Sequence, residues 1–487
     1  MRHSLSRVLA TSALAFGATA CNDSNDTIGT NQPTITARNT SVTPALVKGL
    51  PAGVQAYGIF SSGDSLPGMP RFGGSADGAG LLRNADGTFT MLTNHEDNFA
   101  VSRVTLDRNF TPIAIDYIMN SVSGRWRLCS ATMATPEEHG FGPLFFTSGE
   151  SGIESQTHGI SPRGAVFTTI DDASLLPALG RWNAENAVPL PTTAYPNRTV
   201  VIVGDDDSGT NGGQVAMYVG TAIGDLRNGR LYALARKDNN IRERDMVVGT
   251  NYDVEFRPVP NAAGTTGAQI EAAGLAVNMM QFGRVEDLDY RKGTGEGREI
   301  YFAVTGQNNT GVNASYGRAK YGRIYRLVLD PADPLKGSLS VILDGDDRTG
   351  PARLFQNPDN IYVGTNYAYI QEDPNSYGDE THDAYIYQYN LATKEMKVVM
   401  ELDHRRGIPV DALTYSSATS TFGSWEYGAM IDVSAQTGIR DAFLIAIQPH
   451  TWREARLLRI AGTHPNTTLN TTENQGSQMI LVTGLPR

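Results

Sequence analysis

Short apolar segments alternate with polar turns along this chain, and six of the segments share one pattern. Each is rich in residues that favour β-strands, and each ends in polar or acidic side chains. The six segments are Thr90–Asp97, Leu144–Glu150, Val200–Asp207, Ile300–Gln307, Tyr367–Asp373 and Phe443–His450. The pattern predicts β-strands whose last residues carry the polar chemistry of the protein.

A second apolar segment follows each of the six at a spacing typical of a hairpin. These followers are Ser102–Leu106, Gly164–Ile170, Gly213–Val219, Gly322–Leu329, Ala384–Leu391 and Arg456–Ile460. Several of the first segments are also preceded, across a turn, by a polar group: Asp77, Cys129, Arg284 with Glu286, Asp359 with Asn360, and Glu426. Because one antiparallel strand begins where its neighbour ends, both polar sets face the same rim.

This repeat of small antiparallel units predicts an all-β fold, a β-propeller of six blades with insertions between blades. Radial repetition would bring the strand ends together around a central channel. The largest insertion, residues 226–276, is interpreted as either a lid or an elaborated blade. Acidic residues in turns often only contact solvent, but their recurrence in one register favours a shared site.

Composition supports the β interpretation and narrows the choice of partners. The 487 residues include 51 Gly and 24 Pro, and only 19% are charged, which suits short strands and turns. The net charge is −11 and no basic run accompanies it, which argues against a nucleic-acid partner. We expect a monomer that binds metal cations.

The N-terminal region predicts export. A cationic start, an apolar stretch and small residues precede Cys21, which is typical of a signal peptide over residues 1–20. Cleavage before Cys21 follows either an ordinary small-residue site or a site for lipid attachment. Residues 21–45 are polar and predict a flexible stalk, and residues 46–487 form the folded domain. We expect a periplasmic protein or an outer-membrane or cell-surface lipoprotein, with lipid on Cys21 as its single membrane contact.

Carboxylates that converge on one rim repel one another unless cations neutralise them, so the repeat predicts bound metal. The acidic candidates are Glu96, Glu150, Asp205, Asp206, Asp207, Glu286, Asp359, Glu372, Asp373 and Glu426. Oxygen ligands alone favour calcium. Cys129 adds a thiolate, which is a softer ligand and favours iron, zinc or copper.

Arg284 lies two residues before Glu286, so the two side chains share a face if the segment is a strand. Two interpretations stay open: the guanidinium clamps an anion such as phosphate, or it forms a local ion pair with Glu286. The chain has no HExxH, GxSxG, P-loop or dinucleotide-binding motif, which argues against the corresponding enzyme classes.

Several segments together carry a resemblance to a known family: Thr93–Glu96, Cys129–Glu150, Gly204–Asp207, Arg284–Asp287 and Pro358–Asp373. Through them, residues 50–460 resemble the PhoX-type bacterial alkaline phosphatases. The resemblance implies a six-bladed propeller whose central Fe³⁺ and Ca²⁺ ions bind phosphate and hydrolyse phosphomonoesters.

The resemblance also implies roles for single residues. Arg284 would hold the substrate phosphate and act in catalysis, and Asn94 would help to bind the substrate. The implied metal ligands are Cys129, which would bind iron, together with Glu96, Glu150, Asp207, Glu286, Asp359 and Glu426.

The chain departs from the family pattern at several points. The segment Thr135–Gly140 differs, Glu150 stands alone where the family has a Glu pair, and Asp207 replaces a common Glu. The N-terminal region lacks an arginine pair, so metal would be acquired outside the cytoplasm.

These observations predict an exported metal-dependent phosphatase that acts on a small phosphate ester. One alternative is a calcium-dependent phosphodiesterase, phytase or lactonase on the same propeller, because fold and metal do not fix the substrate. The other is a non-catalytic surface lipoprotein whose metal ions only brace the blades.

Overall fold

A computed structural model describes residues 34–170, 173–293, 297–417 and 420–487. The predicted signal peptide, Cys21 and the first part of the predicted stalk lie outside these ranges. None of the helices within them combines the length and the apolar character that crossing a membrane requires.

The described ranges contain 25 strands, and the first nine include two complete sheets. Strands β1 (Val47–Lys48) and β2 (Gln55–Ser61) pair with strands from later in the chain. The first sheet consists of β3 (Ala76–Arg83), β4 (Phe89–His95), β5 (Ala100–Leu106) and β6 (Pro112–Met119). The second consists of β7 (Leu128–Ala134), β8 (Leu144–Gly149) and β9 (Thr157–Ile160). Both sheets are antiparallel meanders.

A nine-stranded antiparallel sheet follows. Its strands are β10 (Ala184–Pro189), β11 (Val200–Asp205), β12 (Gln214–Val219), β13 (Arg230–Arg236), β14 (Tyr252–Val259), β15 (Val285–Tyr290), β16 (Glu299–Val304), β17 (Arg323–Leu329) and β18 (Lys336–Asp344). Their order is β10-β11-β12-β13-β14-β18-β17-β16-β15. The insertion at residues 226–276 supplies β13 and β14, so it elaborates the sheet, and β14 joins β13 to β18.

Two further sheets complete the chain. One is formed by β19 (Pro358–Val363), β20 (Tyr367–Glu372), β21 (Tyr385–Asn390) and β22 (Met396–Leu402), with β1 at its edge. The other is formed by β23 (Glu426–Asp432), β24 (Ala442–Gln448) and β25 (Gln478–Thr483), with β2 at its edge. Pairing of β2 with the C-terminal β25 ties the two ends of the domain together.

The described helices are short. They are α1 (Pro136–His139), α2 (Gly267–Ala276), α3 (Pro409–Asp411), α4 (Ser434–Thr437) and α5 (Leu469–Thr472). Helix α2 begins with a capping box, in which the Thr266 hydroxyl accepts from the Gln269 amide and the Gln269 side chain accepts from the Thr266 amide. Single helical turns lie at Glu96–Asn98, Pro177–Leu179, Glu243–Asp245, Ala262–Gly264, Gly311–Asn313, Ala412–Ser416 and Ala455–Leu457.

The first strands of successive units contact one another in a closed ring. The order around the ring is β3, β7, β10, β15, β19 and β23, and β23 contacts β3 again. Four small sheets and the nine-stranded sheet are therefore arranged like a propeller around a central channel, and the all-β prediction is confirmed.

Apolar side chains fill the spaces between neighbouring sheets. In β11, Val200 and Ile202 belong to one buried cluster, and Val201 and Val203 belong to another on the opposite face. A strand covered on both faces reads as a continuous apolar run, which is what the sequence shows at this point. Burying each such side chain contributes about 1.5–3 kcal/mol.

All six apolar segments with polar ends form strands: β4, β8, β11, β16, β20 and β24. Two of the predicted followers are wrong. Residues 164–170 form no strand because the chain turns there, with the Gly164 amide donating to the Ser161 carbonyl at 2.9 Å. Residues 456–460 also form no strand, since Ala455–Leu457 is a helical turn. Strands β9 and β25 take these places.

Residues 34–45 fall within the predicted stalk but contact the sheets. Ile35 is buried, and its amide donates to the Thr437 carbonyl at 3.0 Å. Thr43 is buried beside Ser61, with 2.7 Å between the two hydroxyl oxygens. Further hydrogen bonds join this polar segment to β2 and its neighbours.

Candidate metal centre

One end of the channel gathers nine side chains that can bind metal ions. We call this set the acidic cluster: Asp77, Glu96, Cys129, Glu150, Glu185, Glu286, Asp359, Asp373 and Glu426. They form four overlapping triads, and within each triad the candidate ligand atoms lie within 4.8 Å of one another. The triads are Asp77–Glu96–Cys129, Cys129–Glu150–Glu185, Glu185–Glu286–Asp359 and Asp359–Asp373–Glu426. The cluster is thus one continuous arc of donors.

A repeated backbone irregularity places five of these side chains. Strands β3, β7, β10, β15 and β19 each shift register directly after their first paired residue. The residue directly after that first paired residue is, in the same order of strands, Asp77, Cys129, Glu185, Glu286 and Asp359. A β-bulge redirects a side chain that regular pleating would aim elsewhere. Each inner strand therefore delivers one donor to the channel.

The sixth inner strand differs at this position. In β23 the register shifts between Tyr427 and Met430, so the first unpaired residue of the bulge is Gly428. A Cβ on Gly428 would lie 2.7 Å from Asp77 Cα, so the close approach of β3 requires glycine. The donor of this strand is instead its first residue, Glu426.

Burial and mutual repulsion raise the pKa of seven carboxyls in the cluster. Burial is the largest cause and nearby carboxylates add to it, so the pKa is well above its ordinary value for Asp77, Glu185, Glu286, Asp359 and Glu426. Burial, followed by Asp206 and Glu96, raises the pKa of Glu150 to about 8. The same causes, burial and then Glu150, raise the pKa of Cys129, and its Sγ donates to Glu150 Oε2 at 3.1 Å.

Arg284 lies against the cluster and is fully engaged. Its Nε and Nη2 donate to the two oxygens of Asp206 at 2.7 and 3.2 Å, and Nη2 lies 2.6 Å from Glu286 Oε1. Its Nη1 donates to Asn375 Oδ1 at 2.7 Å. The ion pair with Glu286 is thus present, and Asp206 binds the guanidinium in the forked manner that also suits phosphate.

The backbone holds Arg284 in an unusual conformation. Its φ is +71°, a left-handed value that costs a residue with a side chain roughly 1–2 kcal/mol. The carbonyl of Arg284 accepts from the Thr305 amide at 3.0 Å, and the carbonyl of Gly283 accepts from the Gly306 amide at 2.7 Å. These bonds fix the direction in which the arginine enters the site.

The donor set fits metal ions. Asp77 Oδ1 and Asp359 Oδ1 are buried and accept no hydrogen bond from the residues that the structure describes, which is costly for a carboxylate unless a cation satisfies it. Among the described residues, Arg284 and Arg127 are the guanidinium groups whose charge acts on the cluster. Two positive charges do not balance eight carboxyl groups and a thiol, so the cluster could hold several metal ions.

Two predicted residues are placed differently from the expectation. Asp207 lies outside the acidic cluster and is half-buried beside Gly209, whereas its neighbour Asp206 reaches Arg284. Asn94 is fully buried, and its Nδ2 donates to the Cys129 carbonyl and, at 3.5 Å, to the Ser130 carbonyl. Asn94 therefore supports the strand that carries the thiol. The structure brings the other predicted ligands together: Glu96, Cys129, Glu150, Glu286, Asp359 and Glu426.

Sequence reasoning missed Glu185 altogether. Its strand, Ala184–Pro189, has one β-branched residue, Val188, has no aromatic residue and ends in proline, so the sequence gives little sign of a strand there. A shorter repeat could have revealed it: an apolar residue or proline, a donor, a small or polar residue, then an apolar residue. The pattern occurs at 76–79, 128–131, 184–187, 285–288 and 358–361.

Comparison with known proteins identifies a shared fold. No protein-family model matches the chain, and no curated protein matches its sequence. The solved structure of Pseudomonas fluorescens PhoX in complex with vanadate, a transition state analogue, superposes with a TM-score of 0.63 at 13% identity. The match covers 92% of this chain and 98% of that one.

Weaker likenesses concern other enzymes. The α-L-arabinofuranosidase Arb93A of Fusarium graminearum gives a TM-score of 0.37 at 13% identity, over 83% of this chain and 92% of that one. The PQQ-bound aldose sugar dehydrogenase of Streptomyces coelicolor gives 0.33 at 8% identity, over 89% and 99%. These two are too distant to support an argument. The likeness to PhoX shows that this chain has a PhoX-like fold along most of its length.

Proposed function

We propose that this protein is an exported metal-dependent phosphatase that hydrolyses phosphomonoesters. The acidic cluster carries the proposal, because it combines one thiol with eight carboxyl groups beside a half-buried arginine. Its place at the channel end of a PhoX-like fold supports the same conclusion. We also count the nine-stranded sheet as two blades joined through β14, which makes six blades.

The two ends of the cluster suit different metals. Cys129 with Glu150 and Glu185 would hold the iron that the resemblance implies as Fe³⁺, because a thiolate favours a transition metal over calcium. Asp359 with Asp373 and Glu426 offers oxygen donors alone and would hold Ca²⁺. When bound, these cations polarise the phosphoryl oxygens and offset the negative charge of the ester.

The protein's own residues bind and orient the ester. The guanidinium of Arg284 would exchange its forked contact with Asp206 for two phosphate oxygens, which present the same geometry. The Nδ2 of Asn375 is buried and has no acceptor among the described residues, so it can donate to a phosphate oxygen beside Arg284. Both groups are held before the substrate arrives, which lowers the entropy cost of orientation.

Export and attachment belong to the same proposal. A protein secreted through residues 1–20 would acquire its metals outside the cytoplasm, and lipid on Cys21 would attach it to a membrane. We propose a monomer with a small phosphate ester as its substrate and no nucleic-acid partner.

Turnover by the metal-loaded protein tests the function. The mature chain, loaded with iron and calcium, should release 4-nitrophenol from 4-nitrophenyl phosphate faster than from bis(4-nitrophenyl) phosphate or a lactone. Faster diester or lactone turnover would assign the site to those chemistries. No hydrolysis of any ester, with calcium as the only bound metal, would indicate a structural role for the ions. Full activity in Cys129→Ala would exclude the iron role of the thiol.

A further inference from the structure

A buried carboxylate outside the acidic cluster contacts the segment that carries Arg284. Glu243 lies in the insertion between β13 and β14 and is fully buried. Its Oε1 accepts from the amides of Gly283 and Ala319 at 3.2 and 2.7 Å. Its Oε2 accepts from the hydroxyl of Tyr325 at 2.8 Å. One side chain therefore joins the loop before β15 to the loop before β17.

The loop held by Glu243 is the one that gives Arg284 its direction. Gly283 directly precedes Arg284, whose φ of +71° persists only if the surrounding structure enforces it. On one side, Phe282 exchanges two backbone hydrogen bonds with Gly213, at 2.9 and 3.0 Å. On the other, Thr305 and Gly306 donate to this segment. Between these anchors, the amide of Gly283 has Glu243 as its acceptor.

The same network reaches the partner of Arg284. Arg318 lies directly before Ala319, and its guanidinium donates to the carbonyls of Gly209, at 2.9 Å, and Thr210. Those residues follow the acidic run that contains Asp206. The loops on both sides of the Arg284–Asp206 pair thus depend on contacts that converge on Glu243.

We propose that Glu243 is a positioning residue, which holds the Gly283 amide so that Arg284 meets the substrate phosphate in the correct orientation. The inference rests on the proposed phosphatase function. It also gives the insertion at residues 226–276 a role in substrate binding, although no residue of it belongs to the acidic cluster.

Side-chain length and side-chain charge predict opposite results for substitutions of Glu243. Glu243→Asp keeps the charge but is one methylene too short to reach both amides, and Glu243→Ala removes the acceptor. Glu243→Gln keeps the length and retains Oε1 for both amides. Positioning therefore predicts that Gln is tolerated and Asp is not, whereas a purely electrostatic role predicts the reverse.

Steady-state kinetics of the metal-loaded full chain test whether Gln is tolerated better than Asp at position 243. For 4-nitrophenyl phosphate we expect Glu243→Ala and Glu243→Asp to raise KM ~10-fold, because a small misplacement of a binding group weakens binding strongly. The inhibition constant of inorganic phosphate should rise by the same factor, with kcat and metal content close to wild type. Glu243→Gln should stay within about threefold of the wild-type KM.

A matched control separates positioning from stability. Tyr325→Phe removes a different hydrogen bond of the same carboxylate, so it should lower the melting temperature and leave KM unchanged. Hydrogen exchange gives a readout independent of turnover: amides of residues 280–287 should exchange faster in Glu243→Asp than in Glu243→Gln. Wild-type KM in both Glu243→Ala and Glu243→Asp would overturn the inference and leave the phosphatase proposal intact. A wild-type protein inactive on every phosphate ester would overturn both.

Discussion

Without metal ions, the protein should lose stability as the pH rises from 5 to 8. Burial raises the pKa of Glu150, Glu185 and Glu286, so at intermediate pH these carboxyls hold protons in the folded state that they release on unfolding. A carboxyl with a raised pKa costs nothing below its unfolded pKa. The penalty grows as the pH rises and is complete above the folded pKa.

Glu150 gives the scale of the effect. Its pKa rises from the ordinary 4.5 to about 8, which corresponds to a loss of roughly 5 kcal/mol once it is fully ionised. A domain of this size unfolds with an entropy of about 1 kcal/mol per kelvin, so Glu150 alone would lower the melting temperature by about 5 °C. The other buried carboxyls act in the same direction.

Thermal unfolding, monitored by circular dichroism, measures this change in melting temperature. The protein is freed of metal with a chelator, and its melting temperature is compared between pH 5 and pH 8.5, before and after iron and calcium are restored. Glu150→Gln should raise the melting temperature of the metal-free protein at pH 8 and reduce the gain on adding metals. Glu137→Gln, an exposed carboxyl on α1, should change neither. A metal-free melting temperature that is flat or rises with pH would refute the reasoning.

Three other substitutions probe separate parts of the site. Cys129→Ser should lower the iron content ~10-fold in elemental analysis, because a hydroxyl is a poor substitute for a thiolate, and leave calcium unchanged; unchanged iron would contradict the assignment. Arg284→Lys should raise KM for an aryl phosphate ~10-fold, since an ammonium cannot make the forked contact; a wild-type KM would exclude the clamp. Gly78→Ala should lower the melting temperature, because its Cβ would lie 2.4 Å from the Ala131 amide. Gly407→Ala, with open space around it, is the control.

The strand framework could be predicted from sequence because its second strands are buried on both faces. Val200–Asp205 reads as a continuous apolar run, and the polar residues after such runs mark the channel rim. The inner strands are harder to recognise. Ala184–Pro189 consists mostly of small and polar residues, with Val188 as its large apolar residue, so hydrophobicity gives little signal for it.

The sequence alone also does not show whether Asp206 or Asp207 contacts Arg284. Three consecutive aspartates, Asp205–Asp207, begin at the last residue of β11, and strand alternation applies only while the chain is extended. The chain leaves the strand after Asp205, and the Asp206 amide then donates to the Asn183 carbonyl at 2.8 Å. That contact with the residue directly before β10, which no local pattern reveals, decides which carboxylate meets Arg284.

The contact between Ile35 and Thr437 determines the face of the domain at which the N-terminal segment is attached. Strand β23 begins at the acidic cluster with Glu426 and runs about 20 Å along the channel before Thr437. The chain upstream of Ile35 therefore joins the domain at the face opposite the cluster. An anchor on that upstream segment would therefore be joined to the domain at the face opposite the open end of the site, and would leave that end uncovered by its own attachment.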